Sequence, residues 1–186
     1  MAGLSVVPHI LQTSYPDVEV VLYEMGSAML KRSLRSGEID AALMYAVSDD
    51  EFASRNLAPE PLVAVLPEHH LLAKRSSIAL KDLAQEKFIL PPTSTAEVLH
   101  HAALAECAAA GFQPSAVQEV ATLLTGLGLI AARFGVSILP ASIKVFGRKG
   151  IIFRPIRDSR VTVQLALFWP KRNPSPIVTR LLEFEY

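Results

Sequence analysis

The chain has 186 residues, of which 51% are apolar and 19% charged, enough to bury a substantial hydrophobic core. Its 18 Lys and Arg residues balance its 18 Asp and Glu residues, so the formal net charge is zero. This balance excludes the strongly basic surface with which a protein binds nucleic acid unaided.

The single cysteine excludes an intramolecular disulfide and is typical of a reducing compartment. The N-terminal sequence has no signal-peptide pattern, and no apolar run reaches the length that a membrane span needs. We therefore expect a cytoplasmic protein that makes no membrane contact.

Strand and helix patterns alternate along the chain, which predicts an α/β fold with largely parallel sheets. In the first part of the chain we predict helices at 3–14 and 28–36, strands at 18–23, 39–45 and 61–67, and a polar loop at 48–56. Ser27 is the predicted N-cap of the second helix, and Gly37 is its predicted end. Pro8 is tolerable in the first helix only near its first turn.

In the second part of the chain we predict strands at 87–92, 115–121, 136–139, 150–156 and 161–170, and helices at 95–110, 123–133 and 178–186. Ser94 and Glu97 have the spacing of a capping box, which predicts that a helix begins there. Gly111 is the predicted end of that helix, and Gly135 is a predicted break.

Four segments resemble, in order and with suitable gaps, the effector-binding domain of LysR-type transcriptional regulators. They are YPDVEVVLYE, L-x-S-G-E-I-D-A-A-L, PLVAVLPEHHLLA and GLIAARFGVSILPAS, and the resemblance covers residues 2–180. The sequences LYEMGS and LPPTST favour the branch that controls catabolism of aromatic compounds, whose effectors include muconate-like dicarboxylates.

The resemblance implies a type 2 periplasmic-binding-protein-like fold, with two Rossmann-like lobes joined by two crossover strands and a cleft between them. Lobe I would comprise residues 1–62 and 163–186, and lobe II residues 63–162. The family's N-terminal winged helix-turn-helix and the first strand of the domain are absent from this sequence. We therefore expect unpaired backbone groups and exposed apolar surface in lobe I.

The family also implies a homodimer or tetramer, with the helix faces at 28–36 and 123–132 in the interface. Contact with DNA would be made through the winged helix-turn-helix, so this chain alone should bind no nucleic acid.

The predicted ligand site lies at turns between strands and helices. In doubly wound sheets ligands bind beyond the carboxyl ends of strands, where helix N-termini favour carboxylates. With the family resemblance, this reasoning selects the turn residues Gly26, Ser27, Pro92, Thr93, Ser94 and Thr122. Plain helix capping remains an alternative for each of the hydroxyl groups.

Two aromatic residues complete the predicted site. Tyr45 stands where the aromatic-catabolism branch can place an arginine that grips a carboxylate, and tyrosine cannot make that charge-assisted contact. Tyr45 therefore favours an aromatic or less charged effector. Phe168, on the returning strand, packs either on the effector or in the core.

The sequence offers little support for a catalytic or metal-binding role of any residue. Cys107 lies in an alanine-rich helical run and is predicted to be a small, buried apolar group. The adjacent histidine pairs point to different faces, and no P-loop, nucleophile elbow or dinucleotide fingerprint occurs. We predict no catalytic residue, metal or cofactor.

The sequence thus predicts an effector-sensing domain for a small organic acid or aromatic compound. Two alternatives remain. One is a solute-binding protein of a transport system, which would need an export signal, and the other is an enzyme on the same scaffold.

Overall fold

The computed structural model describes residues 3–46, 50–157 and 159–184. The described α-helices are α1 (Gly3–Ser14), α2 (Ser27–Ser36), α3 (Thr93–Ala109), α4 (Leu123–Ala131) and α5 (Pro176–Leu181). The described strands are β1 (Ala42–Tyr45), β2 (Phe52–Pro67), β3 (Phe88–Leu90), β4 (Val117–Glu119), β5 (Ser137–Pro140), β6 (Ile151–Pro155) and β7 (Thr162–Pro170). Positions 48 and 49 of the predicted loop and positions 185 and 186 of the predicted last helix lie outside the described residues.

The chain divides into two compact units. Unit 1 comprises Met1–Pro59 and Gln164–Tyr186, and unit 2 comprises Glu60–Val163. The long strands β2 and β7 each contribute residues to both units.

Unit 1 is a layered α/β structure built on the antiparallel pair of β1 and β7. Because side chains alternate across a strand, this pair has two apolar faces. One face carries Met44 and Ala166 and packs against Leu34 of α2. The opposite face carries Leu167 and packs against α1 and α5 in a cluster with Leu11. Helices on both faces account for the continuous apolar runs in these two strands.

Unit 2 has the same layered organisation around a larger sheet. Strand β3 pairs in parallel with β4, and a parallel bridge between Phe88 and Val136 joins it to the start of β5. The half of β2 that belongs to unit 2 pairs antiparallel with both β5 and β6. Helix α4 covers one face of this sheet through Leu127 and Ile130, and α3 packs against β5.

The expectation of largely parallel sheets is wrong for the described ladders. Pairs β1–β7, β2–β5 and β2–β6 are antiparallel, and β3–β4 is parallel. Sequence patterns do not distinguish these cases, because a strand covered on both faces is continuously apolar in either orientation.

The predicted loop at 48–56 is also wrong over its described second half, since β2 already begins at Phe52. Polar residues occupy the exposed positions of this part of the strand, whereas the stretch from Leu62 to Pro67 is continuously buried. Arg55 lies in the polar part and donates hydrogen bonds to the backbone carbonyl oxygens of Leu182 and Phe184. The Arg55 guanidinium therefore supplies hydrogen-bond donors to carbonyl groups at the C-terminal end of α5. This contact holds the polar part of β2 against α5 and favours the strand in spite of its polar composition.

The predicted strand at 18–23 does not form in the structure. These residues follow α1 without regular secondary structure, and their apolar side chains are open to solvent, with Leu22 74% and Tyr23 60% exposed. Strand propensity stabilises a strand only where a neighbouring strand pairs with it. The segment therefore leaves an apolar surface on unit 1.

The helix ends test the remaining local predictions. Gly37 ends α2 with φ 75°, as predicted, and the N–H of Glu38 donates to the carbonyl of Ser33. Pro8, in contrast, lies inside α1 beyond its first turn.

Replacing Leu22 with Lys should reduce concentration-dependent self-association of the chain without lowering its melting temperature. The substitution places a charge in an exposed apolar segment and removes no buried contact. Gln12→Lys adds the same charge on an exposed position of α1 and is the matched control. Light scattering over a concentration series measures the effect, and equal scattering by the two variants would contradict it.

Gly135 permits a close approach of the chain to β3. A Cβ atom at this position would lie 2.3 Å from the backbone carbonyl oxygen of Lys87. The N–H of Val136 donates to that same oxygen over 2.9 Å, so the neighbouring backbone cannot move away without breaking the bond. A Cβ atom at Gly128, inside α4, would instead meet only the Arg148 guanidinium, at an ordinary contact distance of 3.7 Å.

Gly135→Ala should therefore lower the free energy of unfolding by about 2 kcal/mol, as expected for overpacking. Gly128→Ala should raise it by roughly 0.5–1 kcal/mol, because alanine is the better helix former. Urea denaturation of both variants measures the difference. If both substitutions changed the free energy of unfolding in the same direction, steric contact would not be the reason that position 135 requires glycine.

Candidate functional site

The first predicted turn begins α2 in unit 1. Gly26 is the N-cap, with φ −66° and ψ 154°, and its carbonyl accepts from the N–H groups of Met29 and Leu30. Ser27 is the first helical residue, so its prediction as the N-cap is wrong. The half-buried Ser27 hydroxyl thus lies within the first turn, where backbone N–H groups lack partners inside the helix.

Tyr45 lies at the same end of unit 1 as this turn. Helix α2 packs against β1 and runs into it through a short connection, so the N-terminus of α2 adjoins the carboxyl end of β1. Tyr45 is the last residue of β1, pairs with Leu165 and is half-buried.

Phe168 lies elsewhere in unit 1 and belongs to the core. It pairs with Ala42 at the opposite end of β1, about 10 Å along the strand from the Tyr45 pair. Phe168 is only 1% exposed and packs with Leu34 and Phe52. The structure therefore accounts for this aromatic ring without a ligand, and we correct its assignment from effector contact to core packing.

The second predicted turn begins α3 in unit 2. Pro92 is the N-cap, and no side chain caps the helix, so the predicted capping box at Ser94 is wrong. Thr93 and Ser94 are exposed in the first turn. The helix is interrupted at Ala96, which has φ −143° and ψ 55°, so this turn is set off from the rest of α3.

Thr122 begins α4 and is a true N-cap. Its Oγ1 accepts from the backbone N–H of Thr125 over 3.2 Å and lies 2.9 Å from the Thr125 hydroxyl. The capping alternative thus describes its contacts, although the residue remains exposed.

The register of β3 and β4 brings these two turns together. Leu90 and Glu119, the last residues of the two parallel strands, are paired, and the N–H of Val120 donates to the carbonyl of Leu90. Helices α3 and α4 therefore start from neighbouring points at the carboxyl edge of the sheet. Both N-termini have the partial positive charge that favours an anion.

His100 supports the α3 turn and was missed by the sequence reasoning, which saw only an adjacent histidine pair. Its residue is 8% exposed, and its Nδ1 lies 2.8 Å from the carbonyl oxygen of Pro91, to which it donates. The Glu119 carboxylate lies 3.8 Å from the same nitrogen. The spacing of nine residues between Pro91 and His100 places the ring over the turn only once the helix is formed, so periodicity alone could not identify it.

A cavity of about 300 Å³ adjoins the same edge of the unit 2 sheet. It lies where β5 and β6 end, at Pro140 and Pro155, and where the unit 2 half of β2 begins. Lys144, Arg160 and Thr162 are among its lining residues. These residues were also missed, because the sequence does not show which side chains from separate segments line one cavity.

The single cysteine, Cys107, is buried. Burial, together with the smaller effect of the neighbouring Glu106 carboxylate, raises the pKa of the Cys107 thiol to about 12. A thiol with so high a pKa is not a nucleophile at neutral pH. Across residues 3–46, 50–157 and 159–184, no cluster of three or more His, Cys, Asp or Glu side chains could hold a metal ion. None of the helices in that same part of the chain is long and apolar enough to cross a membrane.

Comparison with known proteins gives a consistent result. The LysR substrate binding domain family matches residues 1–184. The HTH-type transcriptional regulator CatR of Pseudomonas putida is 35% identical over 167 residues, and the HTH-type transcriptional regulator BenM of Acinetobacter baylyi is 29% identical over 153 residues. These matches cover 89% and 81% of this chain, but only 57% and 50% of the two relatives.

The fold also matches a solved structure, the BenM effector binding domain with its effector benzoate. The TM-score is 0.82 at 26% identity, and the match covers 97% of this chain and 82% of that one. The relatives are transcriptional regulators rather than enzymes. The fold is thus the type 2 periplasmic-binding-protein-like fold of these domains, and the chain belongs to the LysR substrate binding domain family, the effector-binding domain of LysR-type transcriptional regulators.

Proposed function

We propose that this domain senses a small aromatic monocarboxylate, of the class of benzoate, for a LysR-type transcriptional regulator. The chain spans about half of the length of its curated relatives, so the regulatory activity would belong to a longer protein. Ligand binding would act by shifting an equilibrium between two arrangements of the oligomer that differ in affinity for the effector.

The observation that carries the proposal is the paired start of α3 and α4. Two helix N-termini with exposed hydroxyl groups at Thr93, Ser94 and Thr122 lie at one edge of the unit 2 sheet. Such an arrangement offers several hydrogen-bond donors and a favourable potential to one carboxylate. His100 holds the carbonyl of Pro91, so the turn before α3 is fixed before a ligand binds.

The charge of the neighbouring cavity supports an anionic ligand. Lys144 and Arg160 line it, and none of its described lining residues is acidic. The Glu60 carboxylate nearby accepts from the backbone N–H of Ser142 and is engaged in that contact. The local balance therefore favours a carboxylate over a cation.

Unit 1 would contribute Gly26, Ser27 and Tyr45 to effector binding. The Ser27 hydroxyl and the first turn of α2 can donate to a carboxylate, while the Tyr45 ring offers an apolar face. Because tyrosine supplies no positive charge, we infer that a ligand with one carboxylate is preferred over a muconate-like dicarboxylate.

The proposal extends to partners and location. As in LysR-type regulators, which form oligomers, the chain would act in a homodimer or tetramer. The faces of α2 and α4 are the proposed interface, and Met29 and Leu124 are exposed on them. DNA would be bound through a winged helix-turn-helix of the longer protein, in the cytoplasm, and not by this chain alone.

The double variant Thr93→Ala, Ser94→Ala should weaken benzoate binding at least about tenfold, since a hydrogen bond to a charged group contributes roughly 1.5–3 kcal/mol. Neither hydroxyl caps the helix, so the melting temperature without ligand should not change. Ser115→Ala, at an exposed position before β4, is the control. Isothermal titration calorimetry measures the affinities, and unchanged benzoate affinity in the double variant would refute the assignment of the α3 turn.

Tyr45→Arg should shift preference toward dicarboxylates. The guanidinium can pair with a second carboxylate, so the ratio of cis,cis-muconate to benzoate affinity should rise about tenfold or more. Tyr45→Phe keeps the ring without adding charge and should leave that ratio near its starting value. Competition titrations with both ligands provide the measurement, and an equal ratio in the two variants would remove Tyr45 from the site.

A further inference from the structure

A second cavity, of about 240 Å³, lies in unit 2 beside the C-terminal half of α3. The turn at Leu80–Leu83 and the segment after β6 form its other walls. Ala109 and Ala110 line it and leave space because neither side chain extends beyond Cβ. None of the residues predicted from sequence to bind the effector belongs to this cavity.

The cavity contains a buried carboxylate. Glu106 is 3% exposed, and its Oε1 accepts a hydrogen bond from the hydroxyl of Ser159, which also lines the cavity. Within the described ranges, no Lys, Arg or His nitrogen lies within 4 Å of this carboxylate. A carboxylate accepts several hydrogen bonds, and a buried charge without a close counter-charge is unfavourable. Glu106 is therefore set up to receive a further donor.

Two other residues of the lining carry the opposite charge. Lys81 and Arg157 are exposed residues that also line the cavity. Their charges would repel a simple cation, while the Glu106 carboxylate would repel a simple anion. A molecule that carries both charges meets neither difficulty.

We propose that this cavity is a second ligand site, for a small zwitterion of the amino-acid class. The ammonium group of the ligand donates to the Glu106 carboxylate, and the Ser159 oxygen is a further acceptor for it. The ligand carboxylate pairs with Lys81 or Arg157. Small side chains of the ligand fit against Ala109 and Ala110.

The two cavities of unit 2 share a wall. Ile156 and Ser159 line both of them. A zwitterion that fixes Ser159 from one side alters the surface presented on the other, which gives a physical route to coupling between the two sites. This coupling depends on the proposed function, whereas the zwitterion site itself does not.

The test is titration of the 186-residue chain with glycine, L-alanine, β-alanine and 4-aminobutyrate, followed by nuclear magnetic resonance. Acetate and methylamine, which carry one charge each, are the control probes. At least one zwitterion should bind saturably, with a dissociation constant of roughly millimolar order. Both single-charge probes should bind at least about tenfold more weakly than that zwitterion. Equal binding of all probes, or binding of none, overturns the proposal.

Variants locate the site. Glu106→Gln removes the charge and keeps an oxygen that accepts from Ser159, so the fold should persist while zwitterion affinity falls about tenfold or more. Glu97→Gln makes the same change at an exposed position of α3 and should have no effect. The double variant Lys81→Gln, Arg157→Gln tests the carboxylate end at two exposed positions and decides the question if Glu106→Gln does not fold. Unchanged zwitterion affinity in Glu106→Gln, or in the double variant where that variant decides, overturns the proposal.

Discussion

The candidate site depends on one constraint, the in-register end of the parallel strands β3 and β4. Leu90 and Glu119 are paired, so the two strands stop at the same level of the sheet. The helices that follow must then begin side by side, at Thr93 and Leu123. Phe88, Ile89 and Leu90 are all buried, so packing on both faces of β3 holds this strand, and with it the site geometry, in place.

The groups around this edge reinforce the same arrangement. His100 donates to the carbonyl of Pro91, and Thr122 caps α4, so the two turns are fixed by contacts that involve no ligand. Gly135 allows the chain entering β5 to approach the carbonyl of Lys87, which joins β5 to β3. Thr93 and Ser94 are exposed in the first turn of α3, and their hydroxyls are the proposed donors to the ligand. Rigid surroundings with adaptable surface hydroxyls are what a site needs to bind a small acid without a large ordering cost.

Sequence reasoning succeeded where a local signal determines the structure. Helix α1, the glycine that ends α2 and the strands β3, β5 and β7 follow from apolar runs and helix-stop residues, and the family resemblance rests on such segments. It failed where pairing or tertiary contact decides. Residues 18–23 have the composition of a strand but no regular structure, while polar residues after Phe52 do form one. Capping was likewise misplaced by one or two residues, because the competing first-turn positions differ little in composition.

The same contrast between local signals and tertiary contacts applies to the candidate site residues. The starts of α2, α3 and α4, where Gly26, Pro92 and Thr122 lie, were predictable to within two residues, because strand patterns precede helix patterns there. The burial of Phe168 was not, because an apolar residue on a strand covered by helices on both faces reads the same whether it meets a ligand or the core. Folding alone brings His100 and Glu106 to their hydrogen-bond partners, because Pro91 is 9 positions from His100 and Ser159 is 53 positions from Glu106. Arg160 likewise lines its cavity only in the folded chain.

The most direct measurement for the central claim is a map of backbone amide chemical shifts during titration of the chain with benzoate. Saturable shifts should concentrate on the N–H groups of the first turns of α3 and α4, because these groups would donate to or adjoin the carboxylate. Saturable shifts confined to other parts of the chain, with these two turns unaffected, would contradict the account and place the effector away from these helix N-termini.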